Sequence, residues 1–176
     1  YQRLIRRLKI KQKTEDLGME SSNTKKILFD TQTRVAPLGL ISMNGTQELG
    51  KKINDYLVKW GKDQGMANDN YLIETDCPRF SSGDGKGLIR STVRGNDLFI
   101  LCDVGNYSCT YNYFGKKNAM SPDDHYQDLK RIIQAASGKA HRINVIMPSL
   151  YGGRQHRRNY RESLDCAVAL QELEAM

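Results

Sequence analysis

The sequence predicts an α/β domain: an open, mostly parallel sheet with helices on both faces. Short apolar runs of strand length alternate with segments of helical periodicity, and glycine, proline and asparagine mark the junctions. The predicted order is strand, helix, strand, strand, helix, strand, helix. Such alternation is typical of parallel sheets, because each parallel connection needs a crossover. The 176 residues suit one domain of this kind.

The first half of the chain predicts two strands around one helix. Residues 38–43 are an apolar run that ends at the turn residues Asn44 and Gly45. The helix that follows is predicted to be capped by Thr46 and stopped by Gly61. Its predicted buried face comprises Leu49, Ile53, Tyr56, Leu57 and Trp60. Residues 71–73 open the second strand, and residues 88–93 are predicted to form one arm of a hairpin.

The next segment predicts a buried strand, a loop and a well-defined helix. Residues 97–104 are a continuous apolar run, which predicts a strand buried on both faces. Residues 105–120 are polar, aromatic and irregular, which indicates a loop or an insertion. Ser121 and Pro122, followed by two acids, predict a helix start, and Gly138 predicts its end. The predicted buried face comprises Tyr126, Leu129, Ile132, Ile133 and Ala136.

A last strand and helix complete the predicted fold. Residues 142–147 predict another buried strand, stopped by Pro148, and Ser163 is predicted to cap the final helix. The shared face of that helix comprises Cys166, Ala169, Leu170 and Leu173. The helix reaches Met176 without a stop signal, so we expect the domain to be truncated. The predicted division is a basic N-terminal extension and linker at 1–36 and the α/β domain at 37–176.

The net charge of +7 and the pI of about 9.2 predict anionic partners: phosphates, nucleotides or nucleic acid. Residues 1–13 carry six basic residues and no acid, which fits a helix on a nucleic-acid or membrane surface. A solvated helix that packs one edge on the domain has the same composition, and we favour this interpretation because charge runs are usually solvated. No apolar run approaches the ~20 residues of a membrane span. Four cysteines without zinc spacing or a secretory signal predict reduced thiols and the cytoplasm.

The most informative segment is the loop at residues 151–161, which holds four arginines and one histidine. It follows a predicted strand, and ligands of parallel sheets bind at the carboxyl ends of the strands. Guanidinium groups match phosphate oxygens bidentately. Gly152 and Gly153 let the backbone bend over a ligand. The loop therefore predicts phosphate binding, with a solvated basic loop or an RNA contact as the alternatives.

A second loop, residues 79–85, combines Phe80 with small residues and Asp84. The aromatic ring could stack on a base and the carboxylate could accept from its amino group, although an ordinary turn has the same composition. No Walker loop, GxGxxG or GxSxG motif occurs. The acids beside His125 are explained by a helix N-terminus. No protein metal site is predicted.

Three segments resemble, in the same order, motifs of the ribose-phosphate pyrophosphokinases, also called phosphoribosyl pyrophosphate synthetases. Residues 79–84 (RFSSGD) resemble the family's R-F-S-D-G-E, and residues 92–97 (TVRGND) resemble S-V-R-G-x-D. Residues 153–158 (GRQHRR) resemble A-R-Q-D-R/K-K. The small-residue turn and helix at 42–49 also follow the family pattern. The resemblance covers about residues 38–176 and implies a phosphoribosyltransferase-like fold.

The resemblance also implies an activity. Members of this family transfer the pyrophosphoryl group of Mg-ATP to the C1 hydroxyl of ribose 5-phosphate, which leaves AMP. The resemblance implies catalytic roles near the ATP phosphates for Arg157 and Arg158, and ATP-binding roles for Arg154, Gln155, His156, Phe80, Ser82 and Asp84. The last three would reach the adenine from a neighbouring subunit. We therefore expect a homo-oligomer, with Mg²⁺ carried by the ATP substrate.

Several departures indicate a divergent branch. Ser82 stands where the family has aspartate, Asp84 where it has glutamate, and His156 where it has an acid. The segment at 105–120 is longer than the family's connection, and the N-terminal extension is additional. The family's magnesium ligands and its ribose 5-phosphate loop would follow Met176. We therefore expect this chain by itself to be inactive.

Two other functions remain open at this point. One is a non-catalytic regulatory paralogue of the same fold, which the altered Ser82 and Asp84 favour. The other is a basic nucleic-acid-binding domain, for which no recognised motif is present. A membrane partner is not expected.

Overall fold

The computed structural model describes residues 35–176. The predicted basic segment at 1–13 and most of the linker lie outside the described residues. The described elements are, in chain order, β1 (Leu38–Ser42), α1 (Gln47–Asp63), β2 (Leu72–Ile73), β3 (Thr75–Asp76), β4 (Leu88–Ile89), β5 (Asp97–Leu101), β6 (Thr110–Tyr113), β7 (Lys116–Ala119), α2 (Pro122–Ala136), β8 (Arg142–Ile146) and α3 (Asp165–Ala175).

The central sheet has four parallel strands in the order β2-β1-β5-β8. Ile41 of β1 pairs with Ile73 of β2 and with Ile100 of β5, and Ile100 pairs in turn with Val145 of β8. Two short antiparallel pairs, β3-β4 and β6-β7, lie outside this sheet. The predicted mostly parallel sheet is confirmed. The hairpin arm predicted at residues 88–93 is confirmed only at Leu88–Ile89, which pairs with β3.

Helices cover both faces of the sheet, as predicted. Successive strand residues point to opposite faces. On one face, Ile41 and Ile100 pack in a core with Leu129 of α2 and Ala169 of α3. On the other face, the smaller cluster comprises Leu40, Tyr71 and Leu101, with Ile53 and Leu57 of α1 packed against it. The larger core therefore lies between the sheet and α2.

The prediction of a second fully buried strand at 142–147 is wrong. β8 is an edge strand, and both of its ends, Arg142 and Ile146, are exposed. β5 lies between β1 and β8, and four of its five residues are buried. Residues 97–104 and 142–147 are both apolar runs, and an apolar run does not indicate whether a strand has a neighbour on each side. Beside β8, an apolar cavity of about 360 Å³ remains between the sheet and α1.

The predicted buried face of α1 is partly wrong. Leu49 and Tyr56 are exposed, whereas Gly50, Asn54 and Gly61 are buried. The helix lies close to the sheet at Gly50, where a Cβ atom would clash with the hydroxyl oxygen of Ser42. The Asn54 side chain accepts a hydrogen bond from the Tyr71 amide at 2.8 Å, which explains its burial. Gly61 does not stop the helix, which continues to Asp63.

The remaining predicted elements are confirmed in part. The start of α2 at Ser121 and its predicted buried face are as expected, and the helix ends before Gly138. Ser163 does not cap α3, which begins at Asp165 after Leu164, and Leu170 is exposed. Residues 105–120 are not entirely irregular, because they contain the hairpin β6-β7. All four cysteines are free thiols, and Cys102 is buried.

Candidate functional site

The turns after β1 and β5 meet at the carboxyl edge of the sheet. Gly45, in the turn after β1, has a φ of 86°, and a Cβ atom there would lie 2.7 Å from the Asn106 side chain. Asn106, in the turn after β5, donates its side-chain amide to the Gly45 carbonyl at 3.2 Å. The Asn106 carbonyl lies 2.8 Å from Nε2 of the buried His125. These contacts join the two turns to α2 and leave His125 with a structural role.

The loop at 151–161 follows β8 at the same edge, and its first residues are held firmly. The ring of Tyr151 stacks on Tyr126 of α2, with 4.2 Å between centroids and 6° between planes. Its hydroxyl donates to Asp123 at 2.8 Å, and this bond together with burial raises the pKa of Tyr151 to about 12. Gly152 has a φ of 65°, and a Cβ atom there would lie 2.9 Å from the amide of Cys166. The loop is therefore anchored between α2 and α3.

The charged part of this loop is open to solvent and unpaired. All four arginines are exposed, and none forms an ion pair with an acid of the described part of the chain. The side-chain oxygen of Gln155 is shielded from solvent and has no hydrogen-bond partner among residues 35–176. An unsatisfied buried acceptor costs about 1–3 kcal/mol. Nδ1 of His156 lies 3.0 Å from the Gly153 carbonyl. Neighbouring cations without counter-charges suit an anionic ligand.

The loop at 79–85 follows β3 and projects its aromatic ring outward. Phe80 is 53% exposed, and the ammonium group of Lys86 lies 5.8 Å from its ring centroid. Within the loop, the Phe80 amide donates to the Asp84 carbonyl at 2.7 Å, and the Gly83 amide donates to the Phe80 carbonyl at 2.9 Å. The Ser82 hydroxyl donates to Oδ2 of Asp84 at 2.7 Å. The other carboxylate oxygen of Asp84 remains able to accept a hydrogen bond.

A buried ion-pair network that was not predicted anchors this second loop. Both terminal nitrogens of Arg79 bond the Asp128 carboxylate, at 2.7 and 2.9 Å, and Arg131 bonds it at 2.6 Å. Asp128 is 2% exposed. Burial next to this carboxylate raises the pKa of the Cys77 thiol to about 12. Arg79 and Asp128 are 49 positions apart, so no local pattern could have paired them.

The structure does not bring the two loops together within one chain. The 79–85 loop contacts α2 through Asp128 and Arg131, whereas the 151–161 loop contacts α2 through Asp123 and Tyr126. Among residues 35–176, no hydrogen bond, ion pair or ring contact joins the two loops. Phe80, Ser82 and Asp84 therefore form one group, and residues 154–158 form another.

Two further kinds of site bear on the function of the described part of the chain, a side-chain metal cluster and a membrane-spanning helix. Among residues 35–176, no group of three or more histidine, cysteine, aspartate or glutamate side chains lies close enough to hold a metal ion. Magnesium is often carried by substrate phosphates with few protein ligands. No described helix is both long and apolar enough to cross a bilayer.

The parallel sheet and the arginine-rich loop at its carboxyl edge define an α/β domain suited to a phosphorylated ligand. Residues 38–176 match the model of the family described as the N-terminal domain of ribose phosphate pyrophosphokinase, and the chain belongs to this family. Among solved structures, phosphoribosylpyrophosphate synthetase from Mycobacterium smegmatis is similar, with a TM-score of 0.55 and 19% identity. The similarity covers 79% of this chain and 39% of that one, and it shows the fold. No curated protein is found to match the sequence.

Proposed function

We propose that the chain is the nucleotide-binding part of a ribose-phosphate diphosphokinase. The full protein would transfer the pyrophosphoryl group of Mg-ATP to the C1 hydroxyl of ribose 5-phosphate, giving phosphoribosyl pyrophosphate and AMP. The observation that carries the proposal is the 151–161 loop: four exposed, unpaired guanidinium groups beside the unpartnered Gln155 oxygen. Family membership supports the same reading.

The arginine loop would act on the phosphates of ATP. Pyrophosphoryl transfer needs positioned cations rather than covalent help from the protein. Arg154 would hold a phosphate oxygen, and Arg157 and Arg158 would stabilise the charge that develops on the transferred group. Gln155 and His156 would line the same site. Mg²⁺, bound through the ATP phosphates, would neutralise part of their charge.

The 79–85 loop would hold the adenine. The exposed Phe80 ring offers a stacking surface, and the free oxygen of Asp84 could accept from the exocyclic amino group. Because no hydrogen bond, ion pair or ring contact joins this loop to the arginine loop among residues 35–176, a site that uses both would take the second loop from another copy. We therefore propose a homo-oligomer. The similarity covers only 39% of the matched synthetase. We therefore propose the ribose 5-phosphate site and the catalysed reaction for the full protein and not for this chain alone.

A regulatory paralogue that binds nucleotide without catalysis is the second candidate. One observation favours it: the Ser82 hydroxyl occupies an oxygen of Asp84 and leaves less of the carboxylate for adenine. Assay of the full protein with Mg-ATP and ribose 5-phosphate separates the two candidates. Phosphoribosyl pyrophosphate formation supports the enzyme, and ATP binding without product supports the paralogue.

The first test is calorimetric titration of Mg-ATP into the chain and into its Arg154→Ala variant. We expect Arg154→Ala to weaken binding at least ~10-fold, because a charge-assisted hydrogen bond contributes about 1.5–3 kcal/mol. The matched control is Arg94→Ala, which removes another exposed arginine without an ion pair among the described residues. Arg94 precedes β5 and so lies at the opposite edge of the sheet, and its variant should bind ATP unchanged.

Two results would contradict the proposal. An equal loss of Mg-ATP affinity in the Arg154→Ala and Arg94→Ala variants would mean that the arginine loop has no specific part in ATP binding. Tight RNA binding, with a strong salt dependence and no ATP binding, would favour the nucleic-acid alternative. If neither ATP nor RNA binds, the same titration on the full protein decides whether the site needs its remaining parts.

A further inference from the structure

The hairpin β6-β7 is a small, well-formed unit between β5 and α2. Its strands pair from Thr110 opposite Ala119 to Tyr113 opposite Lys116. The two turn residues, Phe114 and Gly115, have φ values of 46° and 71°. Positive φ at both positions is the requirement of the tightest hairpin turn, whose twist matches that of the strands. The hairpin can therefore present one face of β6 in a defined orientation.

That face of β6 packs on the 79–85 loop at two points. Tyr111 and Tyr113 are two residues apart and so project from the same face of the strand. The guanidinium carbon of Arg79 lies 5.1 Å from the Tyr111 ring centroid, within the range of a cation–π contact. At Gly83, a Cβ atom would lie 2.7 Å from the ring of Tyr113. The two tyrosines thus contact the start and the tip of the same loop.

The tip can accept this contact only because residue 83 is glycine. Its φ of 93° lies in the left-handed region, and the space that a side chain would need is filled by the Tyr113 ring. The base of the loop is fixed independently, through Arg79 and Asp128. The loop is therefore held between a buried ion pair on α2 and an aromatic ring on the hairpin.

We propose that the hairpin is a brace that fixes the conformation of the 79–85 loop, and that Tyr113 is a positioning residue for recognition of the nucleotide base. The positioning role of Tyr113 rests on the proposed function, whereas the brace does not. A braced loop presents Phe80 and Asp84 in one arrangement before the ligand arrives, so less ordering is needed on binding. Tyr113 acts through Gly83 rather than by touching the base.

The brace is tested by amide hydrogen exchange, without any nucleotide. The amides of Phe80 and Gly83, both hydrogen-bonded within the loop, should exchange at least ~10-fold faster in Tyr113→Ala. Tyr113→Phe keeps the ring that faces Gly83 and should exchange like the parent. Tyr107→Ala, which removes an exposed ring from the turn after β5, is the matched control. The amides of Ile41 and Ile100 report whether the sheet stays folded. Equal exchange in Tyr113→Ala and Tyr113→Phe overturns the brace.

The positioning role is tested by base selectivity. We expect Tyr113→Ala to reduce the ratio of Mg-ATP to Mg-GTP affinity at least ~3-fold, with inorganic tripolyphosphate bound as before and Tyr113→Phe restoring the ratio. Faster loop exchange with unchanged selectivity would overturn the role in base recognition. If neither the parent nor any variant binds nucleotide, even as the full-length protein, the proposed function is wrong. The hydrogen-exchange result would still show whether the hairpin braces the loop.

Discussion

At the scale of single residues, Asp97 shows how a charge is accommodated at the start of a buried strand. It is 7% exposed and accepts hydrogen bonds at 2.8 Å from Nε of Arg142 and from the side-chain amide of Asn144. The hydrogen bonds from Arg142 hold the pKa of this carboxyl below its usual range, against the opposing effect of burial. Asp97 thereby ties the N-terminal end of β5 to the edge strand β8.

We expect Asp97→Asn to lower the free energy of unfolding by about 1–2 kcal/mol at pH 7, because charged hydrogen bonds are lost. A carboxyl with a lowered folded-state pKa stabilises the fold above its unfolded pKa of about 3.9, and the effect fades as the pH falls below that. The difference between parent and variant should therefore be constant above about pH 5 and shrink towards pH 2. Urea denaturation across this range measures it. The control Asp55→Asn, at an exposed position of α1, should leave the free energy of unfolding almost unchanged. If the difference between the parent and Asp97→Asn grew on acidification, the lowered pKa of Asp97 would be contradicted.

At the scale of elements, two helices begin at a hydroxyl residue and use it differently. Ser121 caps α2: its hydroxyl accepts from the Asp124 amide at 3.2 Å, and Asp124 accepts from the Ser121 amide at 2.9 Å. Thr46 precedes α1 but makes no cap bond; its buried hydroxyl lies 2.8 Å from the Met43 carbonyl and 3.2 Å from the Leu101 carbonyl. The same sequence signal therefore stabilises a helix end in one case and joins β1 to β5 in the other.

Replacing Ser121 with alanine should lower the free energy of unfolding by about 1 kcal/mol, the usual loss when a capping hydroxyl is removed. Thermal or urea denaturation measures the change. Ser91→Ala removes an exposed hydroxyl outside the helices and strands and serves as the control. If the two alanine variants were equally stable, the capping box would contribute nothing to stability.

At the scale of the whole molecule, the Asp128 network connects parts that are distant in the chain. It joins the middle of α2 to the loop after β3, and that loop in turn carries the hairpin contact at Gly83. Glycines make the approach possible, since a Cβ atom at Gly87 would lie 2.6 Å from the Arg131 carbonyl. The position of the 79–85 loop thus depends on α2 and on the hairpin together.

Asp128→Ala should be among the most destabilising substitutions, with a loss of about 3–5 kcal/mol, because two arginines would keep their charge at a buried site without a partner. Denaturation midpoints compared with Asp55→Ala, a surface aspartate on α1, measure the effect. A loss within 1 kcal/mol of that control would show that water reaches Arg79 and replaces the carboxylate.

Local signals in the sequence were enough to predict the fold class, the order of the main elements, the start and buried face of α2, and the family. Those features depend on local periodicity, capping residues and short motifs, which are contained in neighbouring residues. Three-dimensional packing was needed to show that β8 is an edge strand, that α1 approaches the sheet at Gly50, that residues 110–119 form a hairpin, and that Arg79 pairs with Asp128. Each of these features depends on which distant segments of the chain come into contact, and the local spacing of residues does not predict such contacts. The roles of the two loops in holding ATP stay a prediction, for which the unpaired arginines and the exposed Phe80 supply the physical grounds.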